Sequence, residues 1–172
     1  MGREMIFEVR ENGKVIWPNP DNIDDALYVC GRDDATTFLA SYVNNSLPED
    51  ANDDTEPVFL IRFRDDSYTF IKERLQEFYD KDLAEIKKAK DTLEDLREAR
   101  KHANYEDFFK FSESMEETQN WLDENAGWSR AGSLLDYLQQ CYNKMVDYIN
   151  QDDNPDREAV FDKYRVAIIW SE

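Results

Sequence analysis

The stretch "EMIFEVRENGKVIW", Glu4 to Trp17, decides the fold class. Met5, Phe7 and Val9 alternate with Ile6, Glu8 and Arg10. A period of two sends successive side chains to opposite faces of a strand. Asn12–Gly13 follows, a dipeptide that tolerates positive φ, and Val15–Ile16–Trp17 returns. This predicts a β-hairpin, ended by Pro18 and Pro20.

Working outward, residues 22–45 read as mostly helical, with Phe38, Leu39, Tyr42 and Val43 at helical spacing. "ALYVC", before Gly31, fits either a helix turn or a strand. "VFLIRFR", 58–64, reads as a strand buried on both faces at one end. A long helix is predicted from Ser67 to about Tyr105, with Tyr79, Ile86 and Leu93 seven apart. Leu75, Ala89, Leu96 and Ala103 form a second row, as in a short coiled-coil seam. Leu134, Leu138, Cys141, Met145 and Ile149 mark helix 131–151 as its antiparallel partner. Between them, Ser114 with Glu117 suggests a capping box, and Gly127 a stop. "YRVAIIW" reads as a final strand, about 164–170, pairing with the N-terminal sheet.

The expected fold is α+β: a small, mostly antiparallel sheet (N-terminal hairpin, strand 58–64, strand 164–170) packed on helices, with a long helical hairpin in region 67–151. The 172 residues are expected to form one acidic domain, 1–172. That length buries roughly two-thirds (~68–70%) of the unfolded surface. With 41% hydrophobic residues the chain has the apolar surface to offset chain entropy.

The N-terminus lacks the apolar segment of a signal peptide, and no run of about 18 apolar residues exists. Ile6 stands where acylation of Gly2 wants Ser or Thr. Cys30 and Cys141 lie far apart in apolar surroundings and read as buried free thiols. Together these favour a cytoplasmic location, in a host's cytoplasm if the chain is of viral or mobile-element origin.

Net charge is the anomaly, at −18 from 39 acids and 21 bases. Small domains are usually designed with a magnitude of about 2–8. The excess is segregated. Residues 1–20 and 72–104 are neutral. Residues 21–66 carry twelve acids and three bases, 106–128 seven and one, and 136–163 seven and three. Five Asp–Asp doublets occur, at 24–25, 33–34, 53–54, 65–66 and 152–153. Helix capping explains one carboxylate of such a doublet and not the second. Asp152–Asp153 precedes Asn154–Pro155, which reads as a cap followed by proline at the first helical position.

No catalytic motif stands out. The single histidine, His102, sits in the charged segment "REARKHANY". No Cys/His cluster has zinc spacing, and no glycine-rich phosphate loop occurs. In "LPEDANDDTEP", Leu47 to Pro57, five of eleven residues are acidic. Asp50, Asn52 and Asp54 occupy a 1-3-5 register, but the calcium-loop glycine is absent and the twelfth position is Ile61. Acids are so abundant that a glycosidase-like carboxylate pair has no diagnostic value. No metal, cofactor or catalytic residue is therefore assigned. Direct nucleic-acid binding would need a basic surface to release counterions, and this chain repels phosphates.

Three classes remain: an interaction or inhibitor protein that docks an anionic surface on a basic partner, a plain acidic structural or regulatory domain, and a salt-adapted protein. An enzyme of unrecognised carboxylate type ranks below the first two. The ten lysines and abundant aromatics speak against salt adaptation. The sharpest form of the first class is a nucleic-acid mimic that blocks a DNA- or RNA-binding enzyme, in the manner of anti-restriction or anti-CRISPR factors. Asp outnumbers Glu, 22 to 17, and Asp places its charge more rigidly. The candidate partner-binding residues are Glu49, Asp50, Asp53, Asp54 and Glu56 in the loop, and Asp107, Glu113, Glu116, Glu117, Asp123 and Glu124 downstream. Trp121 is the candidate aromatic anchor inside this electrostatic rim.

Overall fold

The computed structural model describes residues 4–52 and 57–171. Along the chain these form β1 (Glu4–Glu11), β2 (Lys14–Trp17), a 3-10 turn (Ile23–Asp25), β3 (Leu27–Cys30), α1 (Asp34–Asn45) and β4 (Val58–Ile61). Then follow α2 (Asp66–Lys101), α3 (Tyr105–Asn125), α4 (Arg130–Gln151), α5 (Arg157–Lys163) and β5 (Tyr164–Ser171). The fold is α+β with an antiparallel five-stranded sheet ordered β2-β1-β5-β4, β3 pairing with the other end of β1.

The hairpin forms as its sequence dictates. Asn12 and Gly13 hold φ of 50° and 83°, the left-handed pair that a tight two-residue hairpin turn requires. Met5, Phe7 and Val9 are fully buried, while their alternating neighbours are half-buried. β5 runs between β1 and β4, with Val166 opposite both Val9 and Ile61. Its central position buries every residue from Val166 to Trp170, so it reads as a continuous apolar run.

The chain divides into two compact units, one of residues 1–76 and 130–172, the other of residues 77–129. The first contains the sheet. Its core helix is α4, whose stripe Leu134, Leu138, Cys141, Met145 and Ile149 is buried. These side chains pack on β1, β5 and β3, with Tyr137 edge-on to Phe7 at 6.1 Å. So the α4 stripe, expected to face α2, packs on the sheet instead. A sheet face offers a wider apolar surface than one helix seam and takes the stripe. Within this unit the start of α2 meets α4, where Tyr68 stacks on Tyr142 with ring centroids 3.7 Å apart.

Other local expectations also change. Segment 22–45 is mostly helical, in the 3-10 turn and α1, while its ambiguous "LYVC" pairs with Glu4–Phe7 as β3, and Gly31 at φ +101° turns the chain into α1. Glycine suits that φ, which L side chains rarely adopt. β4 stops at Ile61, and Arg64 takes a φ of 63°. α2 ends at Lys101, and Asn104 restarts a helix by accepting the Asp107 N–H at 2.9 Å. Ser114 is therefore mid-helix and caps nothing, its carbonyl accepting the Thr118 hydroxyl at 2.8 Å. Asp156, rather than Asn154, caps α5. Cys30 is exposed and Cys141 buried. No helix among the described residues is long and apolar enough to cross a membrane.

Candidate functional site

The acids of the sheet-bearing unit mostly have local structural tasks. Asp33 accepts the Thr36 N–H and hydroxyl, both at 2.8 Å. Asp65 accepts the Ser67 N–H, and Asp156 the Ala159 N–H. Arg62 bridges Glu158 and Asp162 at 3.1 and 2.9 Å. Lys163 joins Glu11 and Asp152, both at 3.0 Å, and Tyr164 donates to Asp152 at 3.2 Å. The Asn154 amide and the Lys163 ammonium hold the Asp152 carboxyl below its usual range. Hydrogen bonds from Lys163 to Glu11 and then Asp152 raise the lysine. These groups satisfy one another and tie α4, α5 and β5 to the hairpin. Among the described residues, no group of three or more His, Cys, Asp or Glu side chains could hold a metal ion.

The second unit differs. It is an antiparallel helical hairpin made by the later part of α2 and by α3. Arg100 donates to the Ser112 hydroxyl at 3.3 Å and lies over the Phe108 ring, 5.3 Å from its centroid. Toward the other end, Ser129 donates to Asp82 at 2.6 Å. Residues 77–101 carry eight acids and seven bases, whereas α3 carries seven acids and one base. One helix is balanced and its partner is anionic.

Helical geometry orders the α3 acids. Glu106, Glu113, Glu117 and Glu124 are spaced seven, four and seven apart. At 3.6 residues per turn they fall within about 40° of one another, along ~27 Å of helix. All four are exposed. Among the described residues none of the four is engaged in an ion pair or side-chain hydrogen bond. Glu116 and Asp123, seven apart, form a second exposed row, and Asp123 accepts from Gln119 at 2.9 Å. Glu106 and Asp107 also complement the positive end of the α3 dipole.

Beside the glutamate row lies an open cleft of about 390 Å³ between the two helices. Ala89 and Thr92 of α2 and Thr118 and Trp121 of α3 line it, with Glu85, Lys88 and Glu117 at its sides. Trp121 is 38% exposed.

Of the predicted residues, Glu113, Glu117, Glu124 and Trp121 thus come together on one side of α3. Glu116 and Asp123 sit on an adjoining row, and Asp107 lies off both. Glu49 and Asp50 belong to the other unit, exposed in the turn after α1. Asp53, Asp54 and Glu56 lie outside the described residues. Glu106 and the α2 side of the cleft were not singled out from sequence. The 7-4-7 spacing held the signal for Glu106, but it shows only when the helix is taken to start at Tyr105 rather than after Ser114.

No protein-family model, curated protein or solved structure matches this chain. The face has to be read from its own chemistry.

Proposed function

We propose that this chain is an acidic interaction protein, and not an enzyme, that docks the anionic face of α3 on a basic partner. The observation that carries this is the row Glu106, Glu113, Glu117 and Glu124, exposed and unpaired on a hairpin whose other helix is charge-balanced. Several carboxylates of the sheet-bearing unit cap helices or bind cations, whereas Glu113, Glu117 and Glu124 have no such local task. Holding like charges together costs stability, and a cation supplied by a partner would offset that cost. Electrostatic complementarity of this kind speeds encounter, and a large aromatic such as Trp121 prolongs residence.

In its sharper form the partner is a DNA- or RNA-binding protein and the face stands in for nucleic acid. Seven acids over the 21 residues of α3 give one carboxylate per ~4–5 Å of helix. Duplex DNA presents one charge per ~1.7 Å and each of its strands one per ~3.4 Å. The exposed row itself has one carboxylate per ~9 Å, so it shares the sign of nucleic acid at a lower charge density than either.

The test is capture from a nuclease-treated lysate at low and moderate salt, with DNA and RNA as competitors. One dominant basic protein, displaced by nucleic acid, supports mimicry. A retained partner indifferent to nucleic acid supports the interaction protein without mimicry. A smear of basic proteins that vanishes at moderate salt overturns both. Neutralising Glu49, Asp50, Asp53, Asp54 and Glu56 in one variant and Glu106, Glu113, Glu117 and Glu124 in another locates the face: binding that survives in the first and fails in the second places it on α3.

A further inference from the structure

The helical hairpin has a thin interior. Among the described residues of 77–129 only Leu93 and Leu122 are buried. Two helices can cover only part of each other's apolar side, and a third helix laid in the groove between them completes such a packing unit. The groove is present as the Ala89–Thr92–Thr118–Trp121 cleft, and at about 390 Å³ it lies near the small end of ligand-sized cavities, ~300–1,000 Å³. Ala89 and Thr92 are short side chains that let another backbone approach. Trp121 provides a flat wall for an inserted apolar side chain.

Charge identifies the occupant. The α3 side of the cleft is bordered by Glu117 and continues into the row of Glu113, Glu124 and Glu106. A second copy of this chain would bring a similar row of acids against the first, so self-association on this face is disfavoured. We propose that the α2–α3 cleft receives a basic amphipathic helix of a partner protein. Its apolar residues enter against Trp121, and its Lys or Arg side chains meet the glutamate row. This rests on the assignment of α3 as an anionic docking face and adds the shape of what docks. The recognition mode is helix-in-groove, read by anchors at i, i+3 or i+4 and i+7. A basic helix is also the element that many proteins place in the major groove of DNA, so a cleft of this kind would occupy it directly.

Three labelled peptides of about 18 residues, ~27 Å as helix, test this by anisotropy against the full chain at physiological salt. One is amphipathic, with Lys on one face and Leu on the other. The second has the same composition scrambled, and the third is oligolysine. The amphipathic peptide should bind at least tenfold tighter than the other two. Ala89→Gln, a good helix former that fills the cleft, should remove that advantage and leave oligolysine binding unchanged. Circular dichroism checks that this variant folds; if it does not, the three-peptide comparison on the native chain decides alone. Equal binding of all three peptides overturns the cleft proposal and leaves the anionic face standing. No binding of any peptide, even at low salt, overturns both. A dimer seen by sedimentation and abolished by Ala89→Gln would assign the cleft to a second copy and overturn the proposal.

Discussion

The Lys163 ammonium lies 3.0 Å from the Asp152 carboxylate, which joins the end of β5's leading helix α5 to the segment that follows α4. Asp152 has its pKa lowered by the Asn154 amide and by Lys163, so the folded chain favours its charged form. A carboxyl with a depressed folded pKa adds stability above its unfolded pKa, ~3.9 for Asp, and loses it as pH falls through the lower folded value. Asp152→Asn should therefore lower the urea midpoint at pH 7. The gap from the native chain should narrow as pH drops below about 4. A gap that stays constant down to pH 2 would show that Asp152 contributes by shape and not by charge.

Met145 is fully buried on α4 against the sheet. Met145→Ala removes contacts that the packed stripe cannot refill, and the loss should be about 2–5 kcal/mol in urea denaturation. A loss under 1 kcal/mol would mean that the stripe repacks freely.

The helical hairpin should exchange its amide hydrogens sooner than the sheet. Its amides at 77–129 rest on two buried leucines, whereas β1 and β5 hold a continuous buried ladder. Exchange followed by mass spectrometry should give the lowest protection between 77 and 129. Equal protection in both units would imply one cooperative body.

Cys30 is exposed and Cys141 is wholly buried, with burial pushing the Cys141 thiol up to about 12. The thiolate is the reactive form. Iodoacetamide at pH 8 should alkylate Cys30 in the native chain and reach Cys141 only after unfolding. Early labelling of Cys141 would contradict the α4 packing.

The elements most legible in sequence were those with local signals. Asn12–Gly13 announced the hairpin because both residues readily accept the positive φ values they hold. The α4 stripe was legible as a helix, but its partner was not. Periodicity gives the apolar face and says nothing of what covers it, so a seam in α2 and a stripe in α4 looked like each other's complement. β3 was ambiguous because four residues cannot display a period, and only pairing with Glu4–Phe7 decides them. The α3 site was half legible. Composition located its acids and Trp121, while the cleft depends on Ala89 and Thr92, which are unremarkable in sequence and matter only through which helix lies opposite.

The central claim, that the α3 face binds through its charge, is tested most directly by one titration. The affinity of the captured partner is measured from 50 to 300 mM salt for the native chain and for Glu106→Gln/Glu113→Gln/Glu117→Gln/Glu124→Gln. Native affinity should fall steeply with salt, and the variant should bind at least tenfold more weakly at low salt with a shallower slope. Equal affinity and equal slope in the two proteins would contradict the claim.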